Sequence, residues 1–131
     1  MNASELIQAA LEVRRRARAD FSHFAVGAAL EADSGSVHTG CNIENATYGL
    51  TVCAERVALW KALSEGEGRF TRIAVAADSD YLTPPCGACR QLLWEYCGDI
   101  EVLLANLAGR IETLRLAELL PRPFDASFLE K

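Results

Sequence analysis

The sequence lacks the features of membrane-bound, secreted and nucleic-acid-coating proteins. Its apolar runs are short: the run from Phe24 to Leu30 is seven residues, whereas a membrane-spanning helix needs about 18. No basic stretch leads from the N-terminus into an apolar run, so we expect no signal peptide. Basic residues are the minority, at 13 Lys and Arg against 18 Asp and Glu, and the net charge is −5. We therefore expect a cytoplasmic protein that binds neither membranes nor nucleic acid.

The composition also excludes a disulfide-stapled or disordered chain. Five cysteines, an odd number, favour metal binding or catalysis over a disulfide framework in a cytoplasmic protein. Half of the 131 residues are hydrophobic and 24% are charged, which is typical of a folded chain and not of disorder or collagen-like repeats. The length predicts one domain, covering residues 1–131, with a hydrophobic core of its own.

Helix and strand patterns alternate along the chain. Apolar periodicity and end signals predict helices over residues 4–19, 52–64, 86–96 and 116–120. Ser4 and Thr51 are the expected N-caps of the first two helices. Short apolar runs between turn residues predict strands over 24–31, 36–41, 71–77, 100–105 and 110–113. This alternation predicts a single α/β domain with helices on both faces of a five-stranded sheet.

Two predicted helix starts carry the residues best suited to chemistry. Cys86 and Cys89 are three apart in a first helical turn and can face one centre. Cys53 opens another helix, and the positive end of a helix favours the thiolate that binds metal. Three thiolates on Zn²⁺ leave one tetrahedral position open, which is typical of a catalytic site. Glu55 would lie beside that position without binding the metal.

Other interpretations of these residues stay open at this point. A structural zinc site would need a fourth ligand, for which the chain offers Cys41, Cys97, His23 and His38. Such a site gives Glu55 no role, and a redox pair made of the C-x-x-C motif alone leaves Cys53 unused. Glu55 could be a helix carboxylate stabilised by the dipole, and the cysteines could be small buried hydrophobes. We interpret Cys41 and Cys97 as buried hydrophobes.

The two motifs together match a known deaminase signature. CAE at residues 53–55, followed by PCGAC at 85–89, fits the three-cysteine variant of the zinc deaminase pattern in order and spacing. Around these motifs the chain closely resembles the cytidine deaminases of the small homotetrameric type. Further segments that resemble the family, in the same order, are Phe24–Leu30, Gly40–Ala46 and Leu119–Phe124. The resemblance covers residues 4–128. Phe21 is a small departure, because relatives usually carry Tyr there.

This resemblance implies a fold, an activity and an assembly. The fold would be a three-layer α/β/α domain around a mixed five-stranded sheet. The activity would be zinc-dependent hydrolytic deamination of cytidine and deoxycytidine to uridine and deoxyuridine plus ammonia, as in pyrimidine salvage. Each subunit would hold one Zn²⁺ through Cys53, Cys86 and Cys89, and four subunits would form a homotetramer.

The resemblance also implies roles for the remaining candidate residues. Glu55 would carry protons from the attacking water to the ring nitrogen N3 and to the departing amine. Arg56 would offset the charge of the three thiolates. Asn42 and Glu44 would bind the ribose, while Phe24 would pack against the base. The expected substrate contacts are completed by Ala54 in the same subunit and by Ala46, Tyr48 and Phe124 of a neighbouring subunit.

Several alternatives remain for the substrate and for single residues. Deaminases that act on transfer RNA or single-stranded DNA favour His in place of Cys53 and usually have basic surfaces, whereas this chain is acidic. Deaminases of other small cytosine compounds, such as blasticidin S, are nearer, and the ribose loop at 42–44 argues against them. A non-enzymatic zinc module is the remote alternative. From the residues alone, Phe24 is also explained as core, and Arg56 as an exposed helix arginine.

Overall fold

Strands and helices follow one another in the predicted order in the computed structural model, which describes residues 1–129. The strands are β1 (Val26–Ala32), β2 (Val37–Cys41), β3 (Phe70–Ala77), β4 (Glu101–Ala105) and β5 (Ile111–Arg115). The α-helices are α1 (Ala3–Arg14), α2 (Ala54–Ser64), α3 (Gly87–Cys97) and α4 (Leu116–Leu119). Short 3-10 turns cover Tyr48–Leu50 and Ala126–Leu129. None of the helices in this described range has both the length and the apolar content to cross a bilayer.

The five strands form one mixed sheet in the order β2-β1-β3-β4-β5. β3 and β4 run parallel, and the other neighbouring pairs are antiparallel. The register pairs Val26 with Ala77 and Gly27 with Cys41. The start of β1 and the ends of β2 and β3 therefore lie at the same edge of the sheet. Loops that leave this edge are brought together although they are far apart in sequence.

Helices cover both faces of the sheet, which confirms the predicted three-layer α/β/α fold. On one face, α1 packs the apolar residues Leu6, Ile7 and Ala10 against small residues of β1 and β3. On the other face, α2 and α3 bury a larger cluster that includes Leu59 and Leu93, both about 1% exposed. Each such leucine contributes on the order of 2 kcal/mol of hydrophobic stabilisation. This larger core fixes the N-terminal ends of α2 and α3.

A glycine in β2 lets α2 lie directly on the sheet. A Cβ atom at Gly40 would stand 2.5 Å from the Ala58 nitrogen and 2.6 Å from the Ala54 oxygen. No side chain fits at such distances without moving the helix. Gly40 therefore sets how closely the first turn of α2 approaches the edge of the sheet where the loops meet.

The first helix differs from its prediction at both ends. Asn2, and not Ser4, is the N-cap, and it forms a reciprocal capping box with Glu5. The helix ends at Arg14 instead of continuing to residue 19. The reason is tertiary, because the Arg18 N–H donates to the Asn42 carbonyl at 2.9 Å and draws the chain toward β2.

The N-cap of the second helix also differs from its prediction. Cys53 is the N-cap of α2. The expected cap, Thr51, instead accepts a hydrogen bond from the Asn45 N–H through its hydroxyl, at 3.1 Å. The first strand likewise begins later than predicted, at Val26, so that Phe24 precedes the sheet.

Candidate active site and metal centre

Two helix N-termini bring three thiols together at this edge of the sheet. Cys53 is the N-cap of α2 and Cys86 is the N-cap of α3, while Cys89 lies in the first turn of α3. The three sulfur atoms all lie within 4.8 Å of one another. Neither N-cap sulfur hydrogen bonds to its own helix. All three are therefore positioned as one set of ligands.

The donor set and its spacing fit zinc. Zinc–sulfur bonds of about 2.3 Å place tetrahedral sulfur ligands about 3.8 Å apart, which lies within the 4.8 Å limit on the separations of the three sulfur atoms. Cys89 is buried, Cys53 is half-buried and Cys86 is exposed, so the centre is reached from one side. The buried Nε of Arg56 has no acceptor within residues 1–129, and the neighbouring Cys89 raises the pKa of this guanidinium. Such an arrangement suits a cluster of negatively charged thiolates.

Charge is unevenly shared among the thiols. A hydrogen bond from Cys89 lowers the pKa of Cys53 to about 6, and the positive charge of Arg56 lowers it further. The pKa of Cys89 is raised, first by this same hydrogen bond and then by burial. Cys53 therefore has the lower pKa of the two, and its location at a helix N-terminus favours a thiolate there.

Glu55 is a buried carboxyl next to the thiols. It lies in the first turn of α2 and is 5% exposed. Burial is the main cause that raises the pKa of Glu55 to about 7, and the charge of Cys53 adds to this effect. A carboxyl with this pKa can both accept and release a proton near neutral pH, which is what a general acid–base group requires.

A cavity of about 240 Å³ opens beside the thiols. The predicted site residues that line it are Phe24, Asn42, Glu44, Cys53, Ala54, Glu55 and Cys86. Lining residues that the sequence analysis did not predict as site residues are Ser22, Val26, Thr51, Val52, Val75, Thr83 and Pro84. Thr83 and Pro84 come directly before the second motif, so their place in the chain was a usable signal. Ser22 carried no such signal, because its contacts with Glu44 join residues that are far apart in sequence.

The predicted sugar-binding loop is anchored beside Cys53. Ile43 and Val52 exchange backbone hydrogen bonds of 3.0 and 2.9 Å, which hold the loop against the start of α2. The Asn42 amide accepts from the Val26 N–H at 2.9 Å and donates to the Phe24 carbonyl at 2.8 Å. Asn42 therefore fixes the backbone that presents Phe24 to the cavity.

The side chain of Glu44 accepts four hydrogen bonds from the surrounding chain. Its Oε1 accepts from the N–H groups of Phe21 and Ser22, both at 2.9 Å. Its Oε2 accepts from the Ser22 hydroxyl and, at 3.4 Å, from the Asn42 amide. These donors, the Ser22 hydroxyl first, lower the pKa of Glu44. Glu44 is thus an oriented carboxylate at the mouth of the cavity.

Three predicted substrate contacts lie outside this cavity in the described chain. Ala46 is exposed, and Tyr48, 77% exposed, lines a shallow depression next to the cavity together with Phe21. Phe124 is 60% exposed and stacks on Phe128 with ring centroids 5.4 Å apart. The location of these residues is compatible with the predicted role in a neighbouring subunit, and that role stays a prediction.

Three cysteine sulfurs beside a buried carboxyl with a pKa near neutrality form the type of centre found in hydrolytic zinc enzymes. A family model described as "Cytidine and deoxycytidylate deaminase zinc-binding region" matches residues 1–104. The chain belongs to this family. The family assignment, the zinc cofactor and the enzymatic class predicted from the sequence are thereby confirmed.

Individual relatives agree with this family assignment. The chain is 51% identical over 127 residues to a cytidine deaminase of Halalkalibacterium halodurans, and the alignment covers 96% of each chain. It is 46% identical over 125 residues to a cytidine deaminase of Sporosarcina psychrophila, covering 95% of this chain and 92% of the relative. The crystal structure of cytidine deaminase from Burkholderia pseudomallei superimposes with a TM-score of 0.91 at 44% sequence identity. That match covers 95% of this chain and 100% of the other.

Proposed function

We propose that the chain deaminates cytidine and deoxycytidine hydrolytically, giving uridine or deoxyuridine and ammonia, and that it serves pyrimidine salvage. One observation carries this proposal. A buried Glu55 with a pKa of about 7 lies in the same cavity as the cysteine centre and the oriented carboxylate of Glu44. The relatives named above are cytidine deaminases, which supports the choice of nucleoside.

Glu55 is the proton carrier in this proposal. Zinc, when bound by Cys53, Cys86 and Cys89, supplies a Lewis acid that makes water a nucleophile near neutral pH. Glu55 takes the proton that this water loses and delivers it to ring nitrogen N3, which makes C4 electrophilic. After the water oxygen has added to C4, Glu55 takes the remaining proton of the new C4 hydroxyl and passes it to the amine. The C4–N bond then breaks, ammonia leaves, and the C4 oxygen becomes the carbonyl of uridine. Its pKa near neutrality suits both transfers.

Arg56 adjusts the charge of the centre. Three thiolates carry one negative charge more than Zn²⁺ neutralises, which weakens the metal as a Lewis acid. The neighbouring thiols, Cys89 first, raise the pKa of the Arg56 guanidinium, and a positive charge beside the sulfur atoms draws charge away from them. Arg56 is half-buried on α2, so the charge acts at short range.

The other end of the cavity binds the nucleoside in this proposal. Phe24 packs against the base, Glu44 accepts from a sugar hydroxyl, and Asn42 holds both in place. Ala54, buried at the start of α2, contacts the base next to Glu55. Both nucleosides carry the 3′-hydroxyl, which makes it the simplest target of the Glu44 carboxylate.

We further propose a homotetramer with shared sites. Exposed aromatic rings at the mouth of the cavity and in the tail would be covered by neighbouring subunits. Phe124 lies in a tail that is held to α3 by its own hydrogen bonds, at 2.7 Å from Gln91 to the Phe124 carbonyl. The ring is therefore presented outward. Burying it against another subunit stabilises the assembly by about 2 kcal/mol per ring.

A substrate panel tests the proposed activity. Zinc-loaded protein is assayed for ammonia release from cytidine, deoxycytidine, cytosine, blasticidin S and single-stranded DNA. Both nucleosides should be turned over with kcat/KM at least about a hundredfold above the other compounds. Preference for blasticidin S or for DNA would overturn the substrate assignment, while activity on none of them would overturn the proposed chemistry.

Metal analysis tests the centre independently of turnover. We expect one zinc per chain, and X-ray absorption at the zinc edge should show three sulfur neighbours and one oxygen. A nitrogen ligand, or a fourth sulfur from the protein, would contradict the open three-cysteine centre.

A further inference from the structure

Ser22 joins the two residues that the proposed function uses for base and sugar. Its hydroxyl accepts a hydrogen bond from the Phe24 N–H at 3.1 Å and contacts Glu44 Oε2. Its backbone N–H donates to the other carboxylate oxygen, Oε1, at 2.9 Å. One residue thus touches both oxygens of Glu44 and the backbone of Phe24, and it lines the cavity itself.

The direction of the hydroxyl proton follows from its partners. A serine hydroxyl has one proton, and an ionised carboxylate only accepts. Because Ser22 Oγ already accepts from the Phe24 N–H, its proton is directed to Glu44 Oε2. The serine therefore connects Phe24 and Glu44 in one fixed orientation.

The remaining capacity of the Glu44 carboxylate to accept hydrogen bonds is confined to one oxygen, Oε2. A carboxylate offers about four acceptor directions. Two on Oε1 are taken by backbone N–H groups at 2.9 Å, and one on Oε2 is taken by Ser22. The fourth faces the Asn42 amide at 3.4 Å, the longest of these contacts. A sugar hydroxyl can most readily replace or share that last direction.

The backbone at Ser22 is bent in a way that serves these contacts. His23 has φ of 57°, in the left-handed region that a non-glycine residue seldom adopts. This conformation turns the chain so that donors from residues 21, 22 and 24 meet around one carboxylate and one hydroxyl. Left-handed residues of this kind are found where a site needs an unusual chain path.

We propose that Ser22 is a positioning residue for sugar recognition, which directs Oε2 of Glu44 toward the 3′-hydroxyl of the nucleoside. The inference rests on the proposed function, because it takes Glu44 as the residue that binds the sugar. Ser22 acts through Glu44 and not on the reacting atoms. Its loss should therefore affect binding of the sugar and leave the chemical step intact.

Steady-state kinetics of Ser22→Ala and Ser22→Thr test this role. For cytidine and deoxycytidine, Ser22→Ala should raise KM about tenfold and change kcat by less than about twofold. For 2′,3′-dideoxycytidine, which lacks the hydroxyl, kcat/KM should change less than about twofold. Ser22→Thr retains the hydroxyl and should recover most of the lost affinity. An equal loss on all three substrates, or no loss on any, would overturn the proposal.

Measuring Glu44→Ala in parallel distinguishes a failure of the role of Ser22 from a failure of the proposed function on which that role rests. In that background Ser22→Ala should have no further effect on KM. If the parent enzyme fails to deaminate cytidine, the proposed function is wrong. If Glu44→Ala fails to discriminate between cytidine and the dideoxy compound, sugar binding by Glu44 is wrong. If Glu44→Ala discriminates and Ser22→Ala does not, only the role of Ser22 is wrong.

Discussion

The two ends of the cavity are built differently. At the zinc end, Cys89, Ala54 and Glu55 are buried on the first turns of two helices that pack on the main core. At the nucleoside end, the aromatic residues lie on loops and on the tail, and even Phe24 is 38% exposed. The reactive groups are thus complete within one chain, whereas the recognition surface is left open.

This difference has a physical basis. A raised pKa at Glu55 requires a low-dielectric surrounding, whereas a lowered pKa at Cys53 requires a hydrogen-bond donor and positive charge held close to the sulfur. Rigid helix ends supply the fixed geometry that both need. A nucleoside, in contrast, must enter and leave. In the proposed assembly a second subunit covers the exposed rings, so that the site is enclosed by association instead of by a deep pocket. Substitutions at the zinc end should therefore have large effects on kcat, and substitutions at the nucleoside end should have smaller effects, mainly on KM.

Glu55→Gln should produce the largest effect. The amide has nearly the same shape, so the protein should fold and keep its zinc, but it cannot carry protons. We expect kcat to fall about a thousandfold or more, with KM changed far less. Metal analysis of the same sample is the control, since loss of zinc would explain inactivity trivially. Substantial turnover by a zinc-loaded Glu55→Gln protein would show that another group carries the protons.

The zinc end was also the part that the sequence predicted best. Cys86 and Cys89 are three apart at the start of one helix, where spacing predicts that the side chains share a face. Their association with Cys53 and Glu55, on another helix, was predicted from the order and spacing of the deaminase signature. The order of strands and helices was also predictable, because periodic patterns are local. The ends of these strands and helices were less predictable. The first helix stops at Arg14 because the Arg18 N–H bonds to the Asn42 carbonyl, a contact that no local pattern encodes.

The nucleoside end needed information that is not local. Ser22 and Glu44 are 22 positions apart and meet because β1 and β2 place their loops at one edge of the sheet. The αL conformation of His23, on which that meeting depends, has no sequence signal, since His tolerates several conformations. Family resemblance pointed to Glu44 and to Phe124, but it did not point to the hydrogen bonds that orient them.

Glu44→Ala should have the second-largest effect, and it tests whether the nucleoside end of the cavity acts on binding and not on the chemical step. The substitution leaves sugar hydroxyls unpaired, so kcat/KM for cytidine should fall about ten- to a hundredfold. The loss should appear mainly in KM, and any residual turnover of free cytosine should be unchanged. An equal loss on cytidine and cytosine would mean that Glu44 supports the fold of the loop instead of binding the sugar.

Mixing Glu55→Ala and Phe124→Ala proteins tests whether the open end is closed by a second subunit. The two variants are dissociated together and reassembled. If Phe124 acts on a neighbour's site, some hybrid sites combine an intact Glu55 with an intact Phe124. Activity should then rise above the sum of the two parents by about an order of magnitude. If assemblies shown to contain both variants have no added activity, Phe124 does not act on a neighbouring subunit's site.

The attachment of the tail offers the smallest and most specific test. Trp94 on α3 donates from Nε1 to Asp125 Oδ2 at 2.8 Å, next to the exposed ring of Phe124. Trp94→Phe removes this donor and keeps an aromatic ring, so the ring of Phe124 should be less well fixed. We expect KM for cytidine to rise about two- to fivefold with kcat unchanged.

Two comparisons decide what the Trp94→Phe effect means. Trp60→Phe is the matched control, because Trp60 is exposed on α2 and lines a different groove; its KM should stay at the parent value. In a Phe124→Ala background, Trp94→Phe should add nothing, since the only residue it positions for the substrate is already absent. A further rise in KM in the Phe124→Ala background would show that Trp94 acts through α3 on the zinc end of the cavity. The two ends would then not be independent of each other at α3.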